Sequence, residues 1–347
     1  MRIQIVTDAW HPQVNGVVRT LTHTAGELER MGHKVGLVTP NLFNTLPCPG
    51  YGEIRLAVAS ASSVGHHLEM FAPEAVHIAT EGPLGLAARH CCVKAGLPFT
   101  TSFHTRFPEY IRMRWHLPAG WGYAALRRFH KAAKRTLVPT DGLREELTAL
   151  GFQNLVLWDH GVDTRFFRPR PKDMISDPRP MFLYVGRVAP EKNIEAFLEL
   201  DLPGTKYVVG DGPLLPELRQ RYRNVRFVGC QTGERLAWYY ANADVFVFPS
   251  VTDTFGNVIL EALASGLPVA AYPVRGPKDV LEGTEAGVLD TDLGRAARAA
   301  LKISPQACRA HAERFTLRAS AEQFLRNLVP FDYWRSLVPE PMEAAAV

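Results

Sequence analysis

A chain of 347 residues is too long for one typical core and of comfortable length for two domains. With 46% hydrophobic, 10% aromatic and 21% charged residues, its composition is that of an ordinary folded protein, neither disordered nor fibrous. The five cysteines (Cys48, Cys91, Cys92, Cys230, Cys308) are odd in number and contain no C-x-x-C, which argues against a disulfide framework or a zinc knuckle and suggests a reducing cytosol.

Net charge is only +4, but it is unevenly spread. Between His104 and Arg135 eight basic residues (Arg106, Arg112, Arg114, Arg127, Arg128, Lys131, Lys134, Arg135) stand against one acid, Glu109, so this segment carries +7 and the rest −3.

The opening MRIQIVTDAW enters an alternating strand pattern without a signal-like apolar run, and no stretch of about 18 apolar residues occurs, so no membrane span is expected. The first segment reads as a strand (Arg2 to Asp8), a loop, a helix and a second strand (Lys34 to Thr39). The helix has Val18, Leu21, Ala25 and Leu28 on one face, and Gly32 ends it. Apolar runs at Ala75 to Ile78, Pro98 to Ser102, Thr136 to Val138 and Leu155 to Trp158, separated by helix-length segments, give the rhythm of a parallel sheet with crossover helices. RPRPKDMISDPRP, residues 168–180, is rich in proline and charge and reads as a domain junction. Beyond it MFLYVG, TKYVVGD, VRFVG, DVFVFPS and LPVAAYP form a second set of β-runs spaced by helical patterns. The reading is α/β throughout, with an N-terminal Rossmann-like domain over 1–167, a linker over 168–180 and a second Rossmann-like domain over 181–320. A C-terminal helix and tail over 321–347 pack either on their own domain or on the first.

The stretch PSVTDTFGNVILEALASG, residues 249–266, carries the chemistry. A strand ends at Pro249 and a helix bearing Val258, Ile259, Ala262 and Leu263 begins near Gly256, so the backbone N–H groups of Phe255, Gly256, Asn257 and Val258 are the donors of a helix start and suit a phosphate. In an open α/β sheet this loop lies at the carboxyl edge, where ligands bind. Two carboxylates there, Asp253 and Glu261, would repel a bare phosphate but accept hydrogen bonds from hydroxyls, and a ligand with both groups is a sugar nucleotide. The alternative is that Asp253 caps the helix and Glu261 is a surface residue of an amphipathic helix. GRVAPEKN, residues 186–193, also follows a strand and offers Arg187 and Lys192 to a departing diphosphate.

These runs, with HPQVNGVVRTL at 11–21, FHT at 103–105, HGVDTRFFRP at 160–169 and GDGP at 210–213, resemble the retaining glycosyltransferases of family 4 over most of the chain. The resemblance implies the GT-B fold of two facing Rossmann-like domains with a cleft between them. It puts Asp253 on the transferred sugar and Glu261 on the nucleotide ribose, as the family's E-x(7)-E pair, with Arg187 and Lys192 as the diphosphate clamp. Asn15 and Gly16 stand where the family usually has two glycines that reach the donor phosphate, and His104 matches a histidine near the anomeric carbon. The reaction implied is front-face transfer, in which the departing phosphate oxygen helps to take the acceptor's proton. Asp253 in place of glutamate shortens the reach by one methylene and bears on which sugar is carried.

Other signals are assigned structural roles. DTD at 290–292 precedes a helical run, where Asp290 or Asp292 is a cap rather than half of a metal site, so neither a metal nor any other cofactor is expected. GDGPLL and GWGYAA fail as dinucleotide fingerprints. His77, in an apolar strand, reads as an interior histidine. In the basic stretch the cations alternate with Phe107, Tyr110, Trp115, Trp121, Tyr123 and Phe129, and GYAALRRFHKAAKR reads as a helix with one basic side. Arg106, Arg112, Arg114, Trp115, Trp121, Arg127, Arg128 and Lys131 are therefore candidates for contact with a lipid acceptor and an anionic membrane surface; the alternative is a core of aromatics with a solvated rim. No nucleic-acid module is visible. The expected activity is hexosyl transfer from a UDP-sugar or GDP-mannose to a lipid such as diacylglycerol at the cytoplasmic membrane face. The alternatives are a soluble glycan acceptor, a non-hydrolysing sugar-nucleotide epimerase, or a nucleotide-sugar-binding regulator.

Overall fold

The computed structural model describes residues 1–48, 51–109, 118–172 and 176–333. In the first half, β1 (Arg2–Val6), α1 (Gly16–Arg30) and β2 (Lys34–Val38) are followed by a hairpin, β3 (Thr45–Cys48) and β4 (Tyr51–Ala57). Next come α2 (Ala61–Phe71), β5 (Ala75–Ile78), α3 (Pro83–Lys94), β6 (Thr100–Ser102), α4 (Ala119–His130), β7 (Arg135–Val138), α5 (Asp141–Ala149) and β8 (Leu155–Leu157). The parallel sheet runs β2-β1-β5-β6-β7-β8. Ile3, Ile5 and Val6 are buried because helices cover both faces, the usual condition of a parallel sheet. The hairpin is not legible in the sequence, since LPCPGYG reads as a loop; an antiparallel edge pair outside the main sheet tolerates Pro47.

The second half repeats the plan. It contains β9 (Met181–Val185), α6 (Ile194–Leu198), β10 (Thr205–Val209), α7 (Leu215–Arg221), β11 (Arg226–Gly229), α8 (Gly233–Asn242) and β12 (Val245–Phe248). Then follow α9 (Asn257–Ala264), β13 (Val269–Ala271), α10 (Pro277–Leu281), β14 (Gly287–Leu289), α11 (Leu293–Ala300) and α12 (Pro305–Ala312). Strand order β11-β10-β9-β12-β13-β14 puts the switch in winding direction between β9 and β12, and the loops after those two strands are GRVAPEKN and PSVTDTFG. Gly210, in the GDGP loop after β10, must be glycine because a Cβ on it would come 1.8 Å from the Gly186 carbonyl oxygen, so that loop stacks backbone on backbone against GRVAPEKN. Among the described residues no helix is long and apolar enough to cross a membrane.

The last described helix, α13 (Leu317–Asn327), leaves the second half and packs on α1. Phe324 inserts against His77 and Trp158, each at 4.8 Å between ring centres. Gln323 accepts from the Asp159 N–H at 2.6 Å, and Asn327 donates to the Leu157 carbonyl at 2.7 Å. The helix therefore completes the first half's core, one of the two positions the sequence left open. Asp292 caps α11, accepting from the Arg295 N–H at 2.9 Å, and Asp290 pairs with the Arg295 guanidinium at 2.5 Å, as the capping reading requires.

His77 is fully buried between Thr100 Oγ1 at 2.9 Å and Ser102 Oγ at 3.1 Å, the interior role its setting predicts. Burial pushes its imidazole down to about 3. Below about pH 6.5 the unfolded chain binds a proton at this residue that the folded chain refuses, so this contribution is fully present above that pH and is lost on acidification toward 3. The loss from His77 alone is on the order of 2 kcal/mol between pH 6.5 and pH 5. We expect the urea midpoint to fall over that interval and to fall less in His77→Asn, which starts from a lower stability at pH 7; identical pH slopes in the two proteins would refute the assignment.

Candidate active site

The two loops at the second sheet's switch point are tied together. Asn193 donates to the Pro249 carbonyl at 3.1 Å and Thr252 Oγ1 to the Glu191 carbonyl at 2.9 Å. Across this seam Lys192 forms an ion pair with Asp253, and Arg187 Nε stands 3.9 Å from the Glu191 carboxylate. Helix α9 begins at Asn257 after Gly256, whose φ of 86° is left-handed and suits glycine. Among the described residues no side chain caps this helix start. The capping alternative for Asp253 is thereby excluded.

Glu261 is also no surface residue. It is 2% exposed, accepts from the Tyr240 hydroxyl at 3.0 Å and is paired with Arg19, which comes from α1 of the other half. Arg19, His23, Asp163, Phe167, Asn257 and Glu261 line a narrow pocket there. Sequence reading missed Arg19, although its place one turn beyond Asn15 and Gly16 puts it on the same end of α1.

Three elements of the first half close on the α9 loop. Gly16 and Thr20, in the first turns of α1, receive the Asn257 amide at 3.2 Å (Gly16 carbonyl) and 2.9 Å (Thr20 Oγ1), so the positive ends of α1 and α9 converge. Asn15 caps α1, its Oδ1 accepting from the Val18 N–H at 3.0 Å, and its φ of −151° is extended backbone open to any residue, so the position does not require the family's glycine. His104, just past β6, accepts at its carbonyl from Thr254 Oγ1 at 2.7 Å, and its Nε2 lies 2.8 Å from Ser102 Oγ. His160, past β8, has Nδ1 2.7 Å from Asn257 Oδ1 and its ring 5.9 Å from that of His104. Burial, with the neighbouring imidazoles of His160, His77 and His130, holds His104 well below its ordinary pKa; burial pushes His160 to about 4. Both imidazoles are therefore neutral at pH 7 and act through hydrogen bonds rather than charge. Of the expected site residues, the structure brings Asn15, Gly16, His104, Arg187, Lys192, Asp253, Phe255, Gly256, Asn257, Val258 and Glu261 to the two loops of the second sheet and the elements facing them.

The basic stretch divides. Arg106 is not a surface cation: it is 8% exposed and holds both oxygens of Glu146 at 2.6 and 2.8 Å, because a buried guanidinium needs a matching carboxylate. Tyr123 and Phe129 are core residues, whereas Trp121 is 77% exposed on α4 with Arg127, Arg128 and Lys131 also exposed. Arg127 donates to the Leu150 carbonyl at 2.8 Å. Tyr110, Arg112, Arg114 and Trp115 lie outside the described residues.

A family model described as Glycosyltransferase Family 4 matches residues 14–166, and one described as Glycosyl transferases group 1 matches residues 179–304. The chain is 32% identical over 320 residues to a GDP-mannose-dependent alpha-mannosyltransferase of Mycolicibacterium smegmatis, covering 83% of this chain and 84% of that protein. It is 27% identical over 315 residues to an alpha-monoglucosyldiacylglycerol synthase of Streptococcus pneumoniae, covering 78% of this chain and 71% of that protein. Its fold matches that of Anabaena HepE, solved in complex with UDP and glucose, with a TM-score of 0.72 at 16% identity over 93% of this chain and 98% of the other. The architecture is the GT-B fold that the motif resemblance implies.

Arg19→Met leaves the buried Glu261 carboxylate with the Tyr240 hydroxyl alone, and breaking a buried pair from one side costs about 3 kcal/mol. We expect urea unfolding to register that loss and Arg19→Met/Glu261→Leu to recover most of it. A loss under about 1 kcal/mol, as for exposed pairs, would mean that this contact does not hold the halves together in solution.

Proposed function

The chain belongs to glycosyltransferase family 4, whose members draw on a nucleotide sugar, and on that premise we propose that it is a retaining, metal-independent α-hexosyltransferase acting on a lipid hydroxyl such as that of diacylglycerol. The observation that carries this reading is the convergence of two helix starts, Arg187 and Lys192 on one edge, with Asp253 and Glu261 at its two ends. Preorganised positive charge of that kind stabilises a departing diphosphate and takes the place of a metal ion. When the diphosphate draws Lys192 to itself, Asp253 is released to accept hydroxyls of the transferred sugar. Glu261 faces the nucleotide ribose.

Double displacement would need a carboxylate nucleophile beside the anomeric carbon. Asp253, once released, is engaged by hydroxyls of the transferred sugar and His104 is neutral, so the reading is front-face transfer in which the leaving phosphate oxygen receives the acceptor's proton. Closure of the halves excludes water that would hydrolyse the donor. The M. smegmatis relative's name favours GDP-mannose as donor, with a UDP-sugar the alternative; the S. pneumoniae relative's name favours a glycerolipid acceptor. The exposed Trp121, Arg128 and Lys131 would seat the enzyme on anionic lipid at the cytoplasmic face, each cation adding about 1 kcal/mol.

Incubation with GDP- and UDP-sugars plus diacylglycerol, followed by mass spectrometry, should yield a monohexosyl lipid. Arg187→Ala or Lys192→Ala should lower kcat by about 10²–10³-fold. Free epimerised sugar, a product only with soluble glycans, or binding without turnover would each replace the lipid reading. Co-sedimentation with anionic vesicles should weaken in Trp121→Ala and at raised salt; retention unchanged by both would remove α4 as the docking element.

A further inference from the structure

His160 Nδ1 faces Asn257 Oδ1 at 2.7 Å. The Asn257 carboxamide has one orientation that satisfies chemistry: the Gly16 carbonyl, 3.2 Å away, only accepts, so Nδ2 must face it and Oδ1 must face His160. Oδ1 only accepts, so His160 Nδ1 carries the proton. Because burial keeps the ring neutral at pH 7, Nε2 is a bare lone pair. The residue is 7% exposed, and this atom has no hydrogen-bond partner among the described residues. A buried acceptor left without a donor is costly, and such an atom calls for a ligand or a water. The ring is packed among Phe255 at 4.9 Å, Trp158 at 5.6 Å and His104 at 5.9 Å, next to the first residue of α9.

We propose that His160 Nε2 accepts a hydrogen bond from a ligand hydroxyl, that of the transferred sugar or of the attacking acceptor alcohol, making His160 a substrate-contacting residue beside His104. This rests on the cleft being a nucleotide-sugar site. A hydroxyl donates to this lone pair without surrendering its proton, since the imidazole is too weak a base at neutral pH, so the contact orients the substrate rather than deprotonating it. The competing occupant is a water bridging Nε2 to the Trp158 Nε1–H, which also lacks a partner among the described residues.

The test uses the full chain and two variants. His160→Asn keeps an amide donor near the Nδ1 position for Asn257 and omits the far lone pair; His160→Phe omits both. Long-range ¹⁵N–¹H spectra of the wild type should show Nδ1–H and a bare Nε2, and the opposite tautomer overturns the proposal without reference to activity. Calorimetry is run with GDP, GDP-mannose, UDP and UDP-glucose. In His160→Asn the nucleoside diphosphate that the wild type accepts should bind within about twofold of wild type, while its nucleotide sugar weakens about tenfold, the worth of one hydrogen bond. If instead the sugar nucleotide is unaffected and KM for the diacylglycerol acceptor rises about tenfold, the hydroxyl belongs to the acceptor. Equal weakening of diphosphate and nucleotide sugar in His160→Asn would make His160 only a prop for Asn257, and no change in any of these would leave the lone pair to a water; either result overturns the proposal. A wild type that binds none of the four nucleotides defeats the reading of the cleft itself, and this inference with it.

Discussion

Every polar atom of the Asn257 carboxamide is engaged by the first half of the chain: the nitrogen by Gly16 and Thr20, the oxygen by His160. Asn257 is also the first residue of α9, the helix whose uncapped start faces the cleft. One side chain therefore both joins the halves and fixes where the α9 dipole points relative to that of α1. Had the two halves been held together elsewhere, each helix start would still attract an anion, but the two would not be aimed at the same one.

The second constraint is charge balance. Two carboxylates beside an anion site would weaken it by like-charge repulsion. Here each is compensated in place, Asp253 by Lys192 from the neighbouring loop and Glu261 by Arg19 from the facing half. The pairs differ in character. Lys192 and Asp253 both retain some solvent access and can exchange partners, whereas the Glu261 side chain is almost wholly enclosed and Arg19 covers it from across the cleft. The histidines add no charge, since burial keeps His77, His104 and His160 neutral at pH 7. The field in the cleft is thus set by helix ends, by Arg187 beside Glu191 and by two compensated pairs.

Much of this is legible in sequence because it is local. Strand, loop and helix periodicity place GRVAPEKN and PSVTDTFG at one sheet edge, and the parallel order of β9 and β12 brings them side by side. What sequence hides is the partner across the cleft. Nothing in the spacing of Arg19 and Glu261, 242 positions apart, announces a contact, and HGVDTRFFRP does not reveal that its histidine meets Asn257. Arg106 misleads for the same reason: a run of cations looks solvated until Glu146, 40 residues on, proves to hold one of them. The Pro-rich hairpin strand fails differently, because edge strands outside the main sheet need not follow the alternation that marks central ones.

The chain passes between the halves twice, outward after Trp158 and back before α13, and the two crossings lie side by side; the outward one comes ahead of the junction expected over 168–180, because Val162 and Phe167 already pack in the second half's core. Val162 donates to the Phe315 carbonyl at 2.9 Å and bridges to Thr316, while a Cβ on Gly161 would come 2.6 Å from the Thr316 carbonyl oxygen. A paired double crossing is a short axis about which the halves can turn without unfolding either core. His160 stands two residues from Val162, so the imidazole that grips Asn257 lies close to this paired crossing. Thr140 with Asp279 (2.8 Å) and Arg275 with Glu145 (3.6 Å) are further contacts between the halves. The seam between the halves is thus made largely of polar and charged side chains rather than of an apolar interface, which is the kind of seam that opens and recloses in enzymes that close on their substrates.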